Sequence, residues 1–213
     1  MGIFLRRSMI GLSLLGSYAE GTLVKINEDG ATVDFYVAKH DYESALNGTG
    51  RTLLVRKDCY DKRVFDNSNN AYADSALDSW LNATYMQLLD ASIQTAIGTT
   101  KFYYTPGNDN TTVTTLQRAV FQLSLTELGK SASYANTEGS ALPIASTLQI
   151  AYLDGSAISQ WTRTPRTSGN TYAYFLRSNG GTNSNSSNAV SYGSRPAFTL
   201  PSNTLVGDDM LIT

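Results

Sequence analysis

The order of apolar and polar positions predicts a chain built mainly of short strands. Residues 22–26 and 31–37 alternate around Glu28-Asp29-Gly30, with Leu23, Val33, Phe35 and Val37 apolar, which predicts a hairpin closed by a glycine-assisted turn. Asn47-Gly48-Thr49-Gly50 marks a second turn, and Thr52 to Arg56 reads as a buried strand. The period then changes. Ala76, Leu77, Trp80, Leu81 and Tyr85 recur at helical spacing behind Asp74 or Ser75, either of which can accept hydrogen bonds from a helix's first free N–H groups. Asp90 opens a second short helix with Ile93, Ala96 and Ile97 as its apolar face, stopped by Gly98. Strand patterns return at 101–104, at 119–125 (leading into a helical turn at 126–128), at 161–164 before Pro165, at 171–177 and at 195–200. Residues 106–110 and 129–147 read as loops, 150–158 fits neither period, and Ser178 to Ser194 is a long Asn/Ser/Gly loop. No internal repeat is visible.

Composition narrows the function classes. The 213 residues suit one domain with a short extension, divided here into an N-terminal attachment segment, 1–20, and a domain, 21–213. The segment has the basic pair Arg6-Arg7 and a short apolar run from Met9 to Leu15. That run is too short and too broken by Gly11 and Ser13 for a secretory signal, so the segment is expected to dock on a partner or on its own domain. No run is long enough to span a bilayer. Charged residues are only 16% of the chain against 41% hydrophobic, so the surface is largely neutral and polar and reads its ligands by hydrogen bonds and stacking. The net charge of -2, with basic residues no denser than pairs, argues against nucleic-acid binding. One cysteine allows no intrachain disulfide. Thirteen tyrosines against seven phenylalanines fit a recognition surface, and equally the ordinary use of tyrosine in sheets. The loop 178–194 is pinned between two strands, so it suits either a binding loop or a passive solvent loop.

Several motifs carry a resemblance. Trp161-Thr162-Arg163-Thr164-Pro165, a Gly-rich stretch, and Gly193-Ser194-Arg195-Pro196-Ala197-Phe198 resemble the closing motif of a bacterial and bacteriophage domain family of unknown function. Leu53 to Asp58, Asp78-Ser79-Trp80-Leu81-Asn82 and Thr126-Glu127-Leu128-Gly129 resemble its earlier segments, so the likeness runs from about Gly21 to Leu200. That family is similar to the C-type-lectin-like fold, to formylglycine-generating enzymes and to the variable proteins of diversity-generating retroelements. The resemblance implies an α+β class, with twisted antiparallel sheets, two helices and long loops. It also implies ligand contacts between Thr167 and Ser194, at Asn170, Tyr172, Tyr174, Asn179, Asn183, Asn185, Asn188 and Tyr192. Trp80, Trp161, Arg163 and Arg195 are the structural motif residues. Trp161 is expected in the core, Arg195 to tie loop carbonyls or a carboxylate, and Gly193 to serve a backbone turn.

Catalytic chemistry is sparse. His40 is the single histidine, and a Cys59–His40 pair is the one nucleophilic arrangement the composition allows; structural roles are expected for both. Formylglycine-generating enzymes work with a cysteine pair, from which a lone Cys59 departs. No Cys/His cluster suits a transition metal, and Asn108-Asp109-Asn110 and Asp208-Asp209 lack calcium-loop spacing, so no metal and no cofactor are expected. The expectation is a non-enzymatic, phage or prophage tail-associated receptor-binding protein, located on the virion or outside the cell. It would be homo-oligomeric, bind a host cell-surface protein or glycan, and meet other phage structural proteins through its N-terminal segment. The alternatives are a structural virion component without a ligand and a formylglycine-generating-type enzyme.

Overall fold

The computed structural model describes residues 11–188 and 192–213. In chain order its elements begin with β1 (Leu12–Leu14), β2 (Leu23–Glu28), β3 (Ala31–His40), α1 (Ser44–Asn47), β4 (Arg51–Arg56) and β5 (Asp61–Arg63). The middle holds α2 (Ala76–Ala83), α3 (Ala91–Ala96), β6 (Thr100–Tyr104), β7 (Thr114–Arg118), β8 (Val120–Phe121) and α4 (Ala145–Leu148). The last third is β9 (Ala151–Leu153), β10 (Ser156–Ile158), β11 (Gln160–Pro165), β12 (Tyr172–Leu176), β13 (Thr182–Ser186), β14 (Tyr192–Ser194), β15 (Ala197–Pro201) and β16 (Leu205–Gly207).

Two five-stranded sheets dominate, ordered β2-β3-β4-β15-β8 and β13-β12-β11-β14-β5, with two-stranded ribbons β1-β16, β9-β10 and β6-β7 beside them. The first sheet is antiparallel throughout; the second has one parallel contact, Gln160 beside Gly193. The expected hairpin forms as β2-β3. Its two turn residues, Asp29 and Gly30, both take positive φ (51° and 74°), the twist-matched geometry for a two-residue connection.

The expected α+β, C-type-lectin-like class is overturned. Strands in several sheets carry the described chain, and its four α-helices have at most eight residues each, so the protein is β-rich. The helical period at 74–97 is real but local. Ser75 Oγ accepts from Asp78 N at 3.1 Å and caps α2, which ends at Ala83. Helices this short owe their stability to packing, here through the buried Leu77, Leu81 and Ile93, and do not form a layer of their own.

One hydrophobic core joins everything. Val24, Phe35, Leu54 and Phe198 of the first sheet share it with Leu81 and Tyr85 and with Trp161 and Phe175 of the second. Trp161 is 1% exposed, as expected of a core residue, and its Nε1 donates to the Arg63 carbonyl at 2.8 Å. Of the four passages of the chain between these sheets, two run without an intervening element, from β4 to β5 and at Arg195-Pro196 between β14 and β15. Buried Arg195 staples the two crossings. Its Nε donates to the Arg56 carbonyl at 2.8 Å, Nη2 to the Lys57 carbonyl and Nη1 to the Leu148 carbonyl at 2.7 Å. Of the two partners expected for it, carbonyls are the ones found.

Residues 1–10 of the expected attachment segment lie outside the described residues. From Gly11 on the chain is part of the domain: Gly11 N donates to Asp208 Oδ2 at 2.8 Å, β1 pairs with β16, and Leu15 is fully buried. The stretch expected as one loop, 178–194, contains β13 and β14, with 189–191 outside the described residues. β13 (TNSNS) has no apolar alternation to announce it. It is a strand because β12 offers a complete antiparallel ladder, from Leu176↔Thr182 to Tyr172↔Ser186.

Candidate functional site: an exposed tyrosine–arginine ledge

The nucleophile candidates do not form a site. His40 Nε2 donates to the Tyr18 carbonyl at 2.8 Å while Nδ1 sits 2.9 Å from Thr52 Oγ1, so both ring nitrogens are occupied by structure. Cys59 follows the opposite end of β4 from Thr52, roughly 13 Å away or more at strand rise. The thiol is buried, and that burial pushes its pKa up to about 12, with Arg195 and Arg56 pulling weakly the other way. A thiol this buried stays protonated at neutral pH and is a poor nucleophile.

A second cluster is more elaborate and equally closed. Arg163 and Glu127 are both fully buried and paired in a fork, Nη1 to Oε2 at 2.7 Å and Nη2 to Oε1 at 3.0 Å. The guanidinium's remaining donors reach the Gln122 carbonyl at 3.0 Å and the Tyr103 carbonyl at 3.2 and 2.8 Å, and Phe102 lies under it at 4.5 Å. All five Arg163 donors are used. Burial alone would lower the Arg163 pKa; the Glu127 carboxylate outweighs it and the net shift is upward. Tyr42 donates its hydroxyl to Glu127 Oε1, and Ser124 N donates to Oε2 at 2.8 Å. Beside them Glu138 accepts from Thr105 N and Thr164 Oγ1, both at 2.6 Å, and burial raises its pKa. The cluster ties 42, 122–127, 138 and 163 into one buried network in which every Arg163 donor is spent on the protein.

The open chemistry lies at one edge of the second sheet. Tyr172 on β12 is 40% exposed and Tyr134, from the 129–147 stretch, is 49% exposed. Arg166 lies beside both, its guanidinium carbon 5.1 Å from the Tyr134 ring centroid and 5.7 Å from that of Tyr172. Among the described residues, Arg166 has no carboxylate partner and its guanidinium donates no hydrogen bond to the protein. Ser186 lies directly across the ladder from Tyr172, and its hydroxyl donates to Asn188 Oδ1 at 2.7 Å. The ledge is held from beneath by Asn70, which is fully buried. Its Nδ2 donates to the carbonyls of Arg166 (3.0 Å), Gly169 (3.0 Å) and Tyr172 (2.9 Å), and its Oδ1 accepts from Asn108 N at 2.7 Å.

The eight expected contact residues divide by strand parity. Tyr172 and the exposed Asn188 border the ledge, and Asn170, also exposed, bonds Asp109 Oδ2 through its Nδ2 at 3.2 Å. Tyr174 points the same way as Tyr172 but is 5% exposed, and burial raises its pKa. Asn183, Asn185 and Tyr192 are half-buried on the opposite face. There Tyr192 stacks on Phe175 at 4.0 Å and meets Trp161 edge-on at 4.7 Å, while Asn185 Nδ2 donates to Tyr192 Oη at 2.8 Å. Asn179 is exposed in the β12-β13 turn, where its Oδ1 accepts from Gly181 N at 3.0 Å. Trp80 is half-buried beneath the Arg63 guanidinium, 3.5 Å from its ring centroid. Sequence reasoning missed Tyr134 and Arg166. Their signal was faint: one aromatic in a Ser/Ala/Thr stretch, and one cation just after Pro165.

Two hollows carry less chemistry. One, of about 570 Å³, is lined by Leu14, Gly16, Ser17, Gly50, Ser202 and Asn203, with no ionisable side chain. Another, of about 310 Å³, is lined by Tyr103, Val113, Thr137, Gly139 and Ser140. Among the described residues no group of three or more His, Cys, Asp or Glu could hold a metal ion, and no helix is long and apolar enough to cross a membrane.

A family model described as "Domain of unknown function (DUF6273)" matches residues 49–202, which is more than half of the chain. The match takes in the Arg163–Glu127 pair, the Arg195 staple and the ledge. No curated protein and no solved structure matches.

Proposed function

The chain belongs to the DUF6273 domain family, and from that premise we propose that it is a non-enzymatic recognition module whose working surface is the Tyr134–Arg166–Tyr172 ledge. The observation that carries the reading is a contrast. Cys59, His40 and the Arg163–Glu127 pair are engaged by structure, while Arg166, with two exposed tyrosine rings beside it, keeps an uncommitted guanidinium. Solvent-facing tyrosines flanking an arginine combine contact area, low side-chain entropy and charge, which is the chemistry of a binding surface.

In this proposal the protein serves a phage or prophage tail and attaches to a host cell-surface protein or glycan. The exposed asparagines Asn170, Asn179 and Asn188 would supply an adaptable polar rim. The test is adhesion to host cells by wild type and by Tyr134→Ala/Tyr172→Ala, with melting measured in parallel. A loss of adhesion at unchanged melting temperature supports the module; unchanged adhesion removes it. A second reading, a structural virion subunit, is favoured by Leu12 (53% exposed), Leu14 (49%) and Leu205 (41%). Cross-strand pairing puts Leu14 and Leu205 side by side on the β1-β16 ribbon. Imaging the particle separates the two, since a subunit covered on the ledge by neighbours has no free surface to recognise with.

A further inference from the structure

We infer that the ledge takes an acidic carbohydrate, a glycan bearing ring carboxylates, with Arg166 as the residue that selects the acid. The inference rests on the recognition reading above and adds the ligand's chemistry to it.

Three features of the ledge point there. First, Arg166 is a guanidinium whose planar donors are uncommitted within the described protein, and a planar fork matches a carboxylate in a bidentate geometry. The two tyrosine rings lie beside the guanidinium without neutralising its charge, so the cation stays available to an anion. Second, Tyr134 and Tyr172 are half exposed and present flat faces beside that cation. A sugar ring, with apolar C–H groups on one side and hydroxyls at its edge, can lie on such a face while its carboxylate reaches the guanidinium. Third, the adjoining strand offers small hydroxyl and amide groups, with Ser184 and Ser186 on the Tyr172 side of β13 and Asn188 beyond. These suit sugar hydroxyls.

An acidic peptide fits less well. Peptides are held either by pockets for alternate side chains or by adding a strand to a sheet edge. No hollow described above is lined by ledge residues. The β13 edge is blunted where Asn185 Oδ1 accepts the Ser186 N–H at 2.8 Å. The ledge is also rigid before any ligand arrives, because Asn70 fixes the carbonyls at 166, 169 and 172. A preorganised surface loses little entropy on binding.

The experiment uses the full chain and three probes in titration calorimetry: an oligogalacturonide, the same oligosaccharide with its carboxylates methyl-esterified, and an oligoglutamate peptide. The expected result is binding of the acid sugar that weakens at least tenfold on esterification, weakens by a similar factor in Arg166→Gln, and falls with added salt. Arg166→Lys should recover only part of the loss, because it restores charge without the fork. Melting curves show that the variants fold. Equal binding of the acid and ester forms, or an unaffected Arg166→Gln, overturns the inference. So does a peptide that binds as tightly as the acid sugar. If Tyr134→Ala/Tyr172→Ala abolishes host adhesion while Arg166→Gln does not, the ledge is a recognition surface without acid selection; the inference fails and the recognition reading stands. If neither variant changes adhesion, both fail.

Discussion

Gly193 offers the sharpest test of how the second sheet closes. A Cβ built on it would lie 2.3 Å from Cys59 Sγ and 2.9 Å from Cys59 Cβ, with the Ser159 carbonyl at 3.4 Å. Carbon atoms in van der Waals contact sit about 3.5–4.0 Å apart, so the thiol would have to retreat by more than ~1 Å. It has nowhere to go: Cys59 is buried, its N–H is bound to the Tyr152 carbonyl at 2.8 Å, and Gly193 N is bound to the Ser159 carbonyl at 2.7 Å. Overpacking of this kind costs about 1–3 kcal/mol, and the severity here puts Gly193→Ala at the upper end, ~3 kcal/mol. Cys59→Ala alone removes one buried sulfur and should cost ~1 kcal/mol, close to a buried methylene. In the double variant the worst contact disappears and only the 2.9 Å approach remains. The two changes should therefore be less than additive, with a coupling of about 1–2 kcal/mol. Urea unfolding of the four proteins, read as midpoint shifts at constant slope, measures it. Strict additivity would refute the close approach, and with it the view that glycine stands at 193 to let β14 pass over Cys59.

Further outcomes follow from the same contacts. Trp161→Ala should cost about 3–5 kcal/mol, since the indole is buried and meets Phe65, Phe175 and Tyr192 edge-on; a loss under ~1 kcal/mol in urea unfolding would count against it as the hub of that cluster. Glu127→Gln leaves the Arg163 charge buried without its partner and should destabilise by about 3–5 kcal/mol, measured the same way. Burial raises the Glu138 pKa, so the folded state holds that proton more tightly than the unfolded chain does. Its contribution is therefore present below the unfolded value of about 4.3 and is lost as pH rises through the higher folded value, so wild type should lose ground to Glu138→Gln as melts are taken upward from about pH 4. Asn70→Asp exchanges two donors for a carboxylate aimed at three carbonyl oxygens; amide exchange across 166–172 should speed up, and an unchanged exchange pattern would remove Asn70 as the clamp.

Elements with strong periodicity were legible. The β2-β3 hairpin, the strand at 52–56, the two short helices after Ser75 and the burial of Trp161 all follow from local pattern and turn chemistry. The fold class was not, because helical period reports that a helix exists and says nothing of its share in the architecture. Details decided by long-range partners also escaped. Asp90 precedes α3 but caps nothing with its side chain; its Oδ2 accepts from Asn27 Nδ2 at 2.8 Å. The strand expected at 119–125 shortens to Val120–Phe121, after which Gln122 and Ser124 turn inward to serve Arg195, Trp161 and Glu138. β13 was hidden because its hydrogen bonds come from β12 and not from any apolar face of its own.

The candidate site shows why composition is a poor guide to a surface. Asparagines and tyrosines between 170 and 192 share one bias, yet the register of β12 and β13 puts Tyr172 and Tyr174 on one face and Asn183 and Asn185 on the other. Those on the Phe175 side are consumed by structure, as Asn185 and Tyr192 are by each other. The ledge instead needs Tyr134, which is distant in sequence and is brought in when its carbonyl accepts the Thr167 N–H at 2.8 Å. That bond, with the Asn70 clamp, helps bring both exposed rings beside the Arg166 guanidinium, at 5.1 and 5.7 Å. The ledge depends on three segments held in register by buried amide and backbone hydrogen bonds, so residues outside it decide whether it exists.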